Sequence, residues 1–177
     1  MKIKAIGLLT FLIIGMATLF GCGTQGQHSE SFLRLHIRAN SNSRADQEIK
    51  YYVKDHVVDF LTPIIINTSN FNQVKQTLQN NLRNIERFVN SILSQRGFNY
   101  TSRVLIANEF FPTRSYGNHV LPANFYDALI IELGAGLGNN WWCVVYPPLC
   151  FIGNGNAYSN NFRYRSRILD MINNFFR

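Results

Sequence analysis

The chain has 177 residues and a formal net charge of +7, and 14% of its residues are aromatic. This length fits one ordinary domain. Basic charge combined with aromatic rings is typical of nucleic-acid binding. The N-terminus, however, predicts export, which argues against nucleic acid inside the cell as the partner.

Residues 1–22 are predicted to be a signal segment. Two lysines precede an uncharged run over residues 5–20, which is 16 residues long. As a helix this run would span about 24 Å, less than the roughly 20 residues that a membrane span needs. The pattern predicts a secretory signal, with an uncleaved anchor as the alternative. Leu19, Gly21 and Cys22 match a bacterial lipobox, apart from the bulky Phe20 between them, so Cys22 is a candidate for lipidation.

Export changes how the charge is interpreted. Without Lys2 and Lys4 of the leader, the net charge falls from +7 to +5. Such a charge favours an anionic membrane or wall surface, or an acidic protein face, as the partner. The alternative is that the charge only keeps the domain soluble.

Residues 23–31 are polar and predict a flexible spacer, so the domain is expected to begin at residue 32. Residues 33–38 alternate between apolar and polar side chains, which predicts a half-buried strand with Arg34, His36 and Arg38 on the polar face. Ser43 and Asp46 form a capping pair for a first helix. Helical spacing of apolar residues continues to Phe60, and we expect the helix to end at Pro63.

The second half predicts one more long helix and then strands. An apolar stripe from Phe71 to Ile92 predicts the helix, with Gly97 as its stop. Residues 104–111, 126–133 and 141–146 are strand-like. A loop over 153–161 precedes a final helix from Phe162. Its predicted core-facing residues are Ile168, Leu169, Ile172 and Phe176.

This order of elements predicts an α+β fold with helices packed on an antiparallel sheet. We expect one domain over residues 32–153, followed by a loop and a C-terminal helix over 154–177. The glycines at 134, 136 and 138 predict a hairpin turn with positive φ. They do not form a dinucleotide-binding motif, because the spacing differs and a strand follows.

Cys143 and Cys150 are a candidate disulfide, since an exported domain favours oxidised cysteines. Two buried free thiols are the alternative, because Pro147 and Pro148 could fix the same loop. The spacing of the two cysteines is not that of a zinc site, so no metal is expected. A nucleophilic cysteine assisted by His119 has no apparent orienting residue.

Three carboxylates, Glu109, Asp127 and Glu132, lie near predicted strand ends. A glycosidase-like pair remains open, but solvated charges are the simpler interpretation. The chain shows no local catalytic signature and no cofactor motif. We therefore expect a protein that is not an enzyme and carries no cofactor.

Both tryptophans stand next to each other in the predicted strand 141–146. Adjacent residues of a strand point to opposite faces, so Trp141 and Trp142 cannot share one side. Exposed tryptophan with tyrosine and proline is typical of a binding hot spot, although helices covering both sheet faces would bury the pair instead. The candidate partner-binding residues are Asn40, Ser41, Tyr116, Trp141, Trp142, Tyr146, Pro147 and Pro148.

Two long stretches resemble a known family. They are "LRLHIRANSNSRADQEIKYYVKD" at residues 33–55 and "FFPTRSYGNHVLPANFYDALIIELGAGLGNNWWCVVYPPLCF" at residues 110–151. Together with the leader, they resemble stage II sporulation protein R of endospore-forming bacteria. Some members of that family have a longer C-terminal extension, and the lipobox-like leader is not a general family feature.

The resemblance implies a signalling protein made in the forespore and exported into the space between the two membranes. There it would activate a membrane-embedded aspartic protease of the mother cell, which then processes a pro-sigma factor. Lipidated Cys22 would tether the signal to the forespore membrane. The competing hypotheses are a secreted cell-wall-acting enzyme and a lipoprotein binding module.

Overall fold

The computed structural model describes residues 32–116, 119–151 and 162–176. All of them fall within one compact unit, Ser31–Arg177. The helices are α1 (Arg44–Ile65), α2 (Phe71–Gln95) and α3 (Phe162–Phe175), with a 3-10 turn at Leu149–Phe151. The strands are β1 (Leu33–Arg38), β2 (Ser102–Phe111), β3 (Arg114–Tyr116), β4 (His119–Leu121), β5 (Asn124–Leu133) and β6 (Asn140–Tyr146). The predicted leader, spacer and loop over 153–161 lie outside the described residues.

Four strands form one sheet in the order β2-β5-β1-β6. The predicted α+β class is confirmed, but the sheet is mixed, because β1 runs parallel to β5 and antiparallel to β6. β2 pairs with β5 in antiparallel fashion, with Ser102 opposite Leu133. Periodicity predicts that a strand exists but not which strand it pairs with, so the sequence could not reveal that β1 lies inside the sheet.

Helices α1 and α2 cover one face of this sheet. Leu33, Leu35 and Ile37 of β1 have no exposed surface and pack with the buried residues of both helices. Because side chains alternate along a strand, the intervening residues of β1 point to the opposite side. We call that side, opposite α1 and α2, the far face.

The predicted helix signals act as expected at two of three ends, and the structure adds a cap at Asn70 that was not predicted. The Ser43 hydroxyl accepts from the Asp46 backbone N–H at the start of α1, and Asn70 caps α2 in the same way. Gly97, at φ 78°, ends α2. The predicted end at Pro63 is wrong, because α1 continues to Ile65. A proline this near the helix end removes only one backbone bond, to a residue on the exposed side.

The glycine-rich segment after β5 does not form the predicted hairpin turn. Gly134 and Gly136 have the predicted positive φ, at 56° and 63°, but β5 and β6 lie on opposite sides of β1. The segment therefore passes over the end of β1. A Cβ on Gly138 would stand 2.2 Å from the Ser41 carbonyl oxygen, so this glycine is needed for the close approach of two backbones.

Strands β3 and β4 form a separate two-stranded hairpin that the sequence did not predict. Leu121 of this hairpin packs with Val144 of β6 and Ile172 of α3. The inward position of Ile172 confirms part of the prediction for α3. Leu169 is 39% exposed and was wrongly predicted to face the core, because α3 contacts the domain one turn further on. The side chain of Ile168 is not among those described.

Within the described ranges, none of the helices combines the length and apolarity that crossing a membrane would require.

Cys143 and Cys150 form a disulfide in this structure, with their Cα atoms 5.6 Å apart. That separation lies in the normal range for a disulfide. Both side chains are buried, at 6% exposure each. The bond closes the turn that carries Pro147 and Pro148 onto the edge strand β6.

We expect this bond to be present in the protein isolated under non-reducing conditions. Alkylation of the folded chain should leave Cys143 and Cys150 unlabelled until a reductant is added, and intact mass should then rise by about two hydrogens. Cys143→Ala/Cys150→Ala should lower the free energy of unfolding by about 2 to 3 kcal/mol, as the chain-entropy model gives for so short a loop. Ready labelling without reductant would contradict the disulfide.

Candidate functional site

The far face carries a group of charged and aromatic side chains that meet across three strands. Arg34, His36 and Arg38 come from β1, Glu109 and Phe111 from β2, and Tyr126 and Glu132 from β5. Arg34 is fully buried and His36 is 3% exposed. The expectation of a half-buried strand is therefore wrong at Arg34 and His36, because side chains of β2, β5 and the β3–β4 hairpin cover them.

An ion-pair chain runs along one part of the far face. His36 Nδ1 lies 2.8 Å from Glu109 Oε2, and the second oxygen of Glu109 accepts from Arg38. Arg38 also donates to Glu132 Oε1 at 2.6 Å. Glu132 in turn lies 3.8 Å from Arg103, whose side chain is largely exposed. Glu109 and Glu132 are thus paired and partly buried, which corrects the interpretation of them as solvated charges.

Arg34 lies in an aromatic cage. Its guanidinium carbon is 4.4 Å from the ring centre of Phe111, 5.1 Å from that of Tyr126 and 5.4 Å from that of Tyr116. Nη2 donates to the Tyr116 hydroxyl at 2.7 Å. Burial lowers the pKa of Arg34, while both tyrosines act in the opposite direction. The faces of the three rings stabilise the guanidinium cation. Only part of the hydrogen-bonding capacity of the guanidinium is used.

The two tryptophans occupy opposite faces, as predicted. Trp141 packs with the core under α1 and α2, where Lys54 lies 5.6 Å from its ring. Trp142 lies on the far face, 5.6 Å from the His36 ring and 4.4 Å from the Arg114 guanidinium carbon. Both rings are partly exposed. A partner that contacts the far face would therefore meet Trp142 and not Trp141.

Asn40 and Ser41 serve a different part of the molecule, the junction between β1 and α1. Asp46 Oδ2 accepts from Asn40 Nδ2 at 2.9 Å and from Ser41 Oγ at 2.5 Å, while Oδ1 accepts from the Tyr100 hydroxyl at 2.6 Å. Asn40 Oδ1 also accepts from the backbone of Ala135. Both predicted contact residues therefore have internal hydrogen bonds, and their role in partner binding stays a prediction.

The other predicted contact residues are more scattered. Tyr116 belongs to the hairpin and bonds to Arg34. Tyr146 packs edge-on against Phe175 of α3, with ring centres 5.6 Å apart. Pro147 and Pro148 are buried and offer little surface to a partner. Only Tyr116 and Trp142 join the far face, and Cys22 lies outside the described residues.

The catalytic alternatives find little support in the geometry. Asp127 points toward α2 and accepts from Lys75 at 2.5 Å, so it does not form a pair with Glu109 or Glu132. His119 stacks on Phe176, with ring centres 3.8 Å apart, and both candidate cysteines are bonded to each other. Among the described residues, no three His, Cys, Asp or Glu side chains converge to hold a metal ion.

Sequence reasoning missed Arg34 and His36 as site residues. Their alternation with leucine and isoleucine is the ordinary signature of a strand with one solvated face. The available signal was an arginine and a histidine on the polar side of a strand that proved to lie inside the sheet. That signal becomes visible only when the strand order is known.

Comparisons with known proteins agree with the family resemblance of residues 33–55 and 110–151. The family model described as "Stage II sporulation protein R (spore_II_R)" matches residues 29–156. Stage II sporulation protein R of Bacillus subtilis (strain 168) is 37% identical over 127 residues, which cover 71% of this chain and 57% of that protein. No solved structure matches the chain. The chain thus belongs to the stage II sporulation protein R family, a family of sporulation proteins.

Proposed function

We propose that the protein is an extracytoplasmic sporulation signal that activates a membrane-embedded aspartic protease of the mother cell. The forespore exports it into the space between the two membranes, and the activated protease then processes a pro-sigma factor. Family membership is the observation that carries this proposal. The predicted N-terminal signal segment and its candidate lipidation site at Cys22 support the proposed location.

The far face supports a binding role over a catalytic one. Its charged groups are engaged in ion pairs and aromatic contacts, and Trp142 and Arg114 form a partly exposed platform beside them. Tryptophan and arginine are the residues most enriched in binding hot spots. We assign this platform as the surface that the protease recognises.

Co-expression in a non-sporulating host tests the proposal. The full chain, the protease and the pro-factor are produced together, and processing of the pro-factor is followed by immunoblot. Processing should require all three proteins and should fail with a chain lacking residues 2–22, which would stay in the cytoplasm. The matched control is a protease whose active-site aspartate is replaced.

Processing that is independent of the chain would contradict the proposal. The same purified chain should leave peptidoglycan fragments unchanged when their masses are compared before and after incubation. Altered fragments would support the cell-wall-acting enzyme instead.

A further inference from the structure

We propose that Arg34 is the binding site for a carboxylate, supplied by an acidic side chain of the partner protein. Only the identity of the partner rests on the proposed function. The chemistry of the site rests on the contacts of Arg34 and its neighbours on the far face.

The first argument is the unused hydrogen-bonding capacity of a buried cation. Arg34 has no exposed surface, and its Nε and Nη1 have no hydrogen-bond partner within the described chain. Buried polar groups in folded proteins are almost always hydrogen-bonded, and a buried charge is normally paired. Among the described residues, the only side chain that accepts a hydrogen bond from Arg34 is Tyr116, through its neutral hydroxyl.

The second argument is the geometry of the aromatic cage. The rings of Phe111, Tyr116 and Tyr126 surround the guanidinium at 4.4 to 5.4 Å. Ring faces attract the cation but do not replace acceptors in the plane of its N–H groups. A carboxylate binds a guanidinium through two neighbouring nitrogens. In both pairs that include Nη2, namely Nη2 with Nε and Nη2 with Nη1, the second nitrogen has no acceptor within the described chain. A carboxylate that replaces the Tyr116 hydroxyl would therefore gain two parallel hydrogen bonds.

A second unpartnered nitrogen lies on the same side of β1. His36 follows Arg34 by two residues, and its buried Nε2 has no partner within the described chain. Its ring centre is 5.8 Å from that of Phe111, which Arg34 also contacts. Nδ1 of His36 donates to the Glu109 carboxylate, so Nε2 of the neutral ring is an acceptor. It would accept from a donor beside the bound carboxylate, such as a backbone N–H of the acidic segment.

The charge of the far face favours a single carboxylate. Among the described residues of the far face, Arg34, Arg38 and Arg114 are balanced by two carboxylates, Glu109 and Glu132. The excess is positive and attracts an acidic group. The two glutamates would repel a doubly charged phosphate more strongly than a singly charged side chain, so an acidic protein segment fits better than a phosphate.

Tyr116 determines how such a group can reach Arg34. It belongs to the β3–β4 hairpin, which is not paired with the four-stranded sheet among the described strands. Displacing Tyr116 therefore breaks its hydrogen bond to Arg34 and its ring packing, but no strand pairing with the main sheet. The hydroxyl of Tyr116 acts as an internal acceptor that competes with the partner carboxylate.

Titration of the 15N-labelled full chain with two short peptides tests this site. The peptides have the sequence Gly-Gly-Glu-Gly-Gly and Gly-Gly-Gln-Gly-Gly, both with blocked ends, and the Arg34 Nε–H and His36 ring resonances are followed by NMR. Only the glutamate peptide should shift them. Arg34→Gln should weaken its binding by about tenfold or more, since charge-assisted bonds are lost. Tyr116→Phe should strengthen it, because the competing acceptor is removed.

Arg103→Gln is the matched control, because it removes an exposed positive charge from the same face and should leave binding nearly unchanged. Thermal unfolding is measured on every variant. If Arg34→Gln does not fold, two other variants test the site. Arg34→Lys should bind the glutamate peptide more weakly than wild type, and Tyr116→Phe should bind it more tightly. The proposal would be overturned if both peptides shifted the resonances equally, or if inorganic phosphate shifted them and the glutamate peptide did not. It would also be overturned if the glutamate peptide bound Tyr116→Phe no more tightly than wild type. Because no protease is present, this result is independent of the activation assay.

Discussion

Asp46→Ala is expected to lower the free energy of unfolding by about 2 to 4 kcal/mol, because it leaves three partly buried donors without their charged acceptor. Asp46 is 6% exposed, and its carboxylate accepts from Asn40, Ser41 and Tyr100. These bonds connect the end of β1, the start of α1 and the segment before β2. Chemical denaturation of the variant and of the wild-type chain measures the loss.

The same carboxylate predicts a dependence of stability on pH. Burial of Asp46 alone would raise its pKa, but the hydrogen bonds from Ser41, Tyr100 and Asn40 outweigh it and hold the pKa below the ordinary 3.8. A lowered pKa means stability that is fully present above the pKa of the unfolded chain and lost as pH falls through that of the folded chain. Asp46→Asn should therefore be destabilised less in acid than at neutral pH, relative to wild type.

Glu48→Gln is the control for both measurements. Glu48 lies on the same helix and forms an exposed ion pair with Arg44 at 2.7 Å. Such pairs contribute about 0.3 to 0.5 kcal/mol, so this variant should remain close to wild type. If Asp46→Ala is no less stable than Glu48→Gln, the network at the end of β1 does not support the fold.

Replacing the two tryptophans should separate stability from signalling. Trp141→Ala should lower the free energy of unfolding by about 3 kcal/mol, the low end of the range for removing a large core side chain, because its ring is only partly buried. Its ring packs with the residues under α1 and α2. Trp142→Ala should cost less stability but about 2 kcal/mol or more of partner binding, which is the scale of a hot spot.

Thermal unfolding and pro-factor processing are measured on both variants. A third variant, Asn40→Ala, tests whether the partner also contacts the segment that follows β1. Because the Asn40 side chain bonds to Asp46 and to the backbone of Ala135, this variant should lose stability. If both tryptophan variants unfold the domain, or if both fold and activate normally, Trp142 is not a contact residue.

The sequence by itself determined the helices, most of the strands and the family. Ser43 and Asn70 cap their helices through local hydrogen bonds, and Gly97 ends α2 through its own backbone conformation. Such signals act within a few residues, so they can be read without knowing the fold. The opposite orientations of Trp141 and Trp142 follow from the same local geometry of a strand.

Only the tertiary structure decided which strands are neighbours and which polar side chains are buried. Leu33 pairs with Asp127 and Tyr146, positions that are distant in sequence, and no local pattern encodes that choice. Because β1 lies between β5 and β6, the glycine-rich segment that joins β5 to β6 crosses over the end of β1 and does not form the predicted hairpin. The tertiary structure also placed Arg34 under Tyr116, because burial of the second face of a strand depends on what the rest of the chain lays over it.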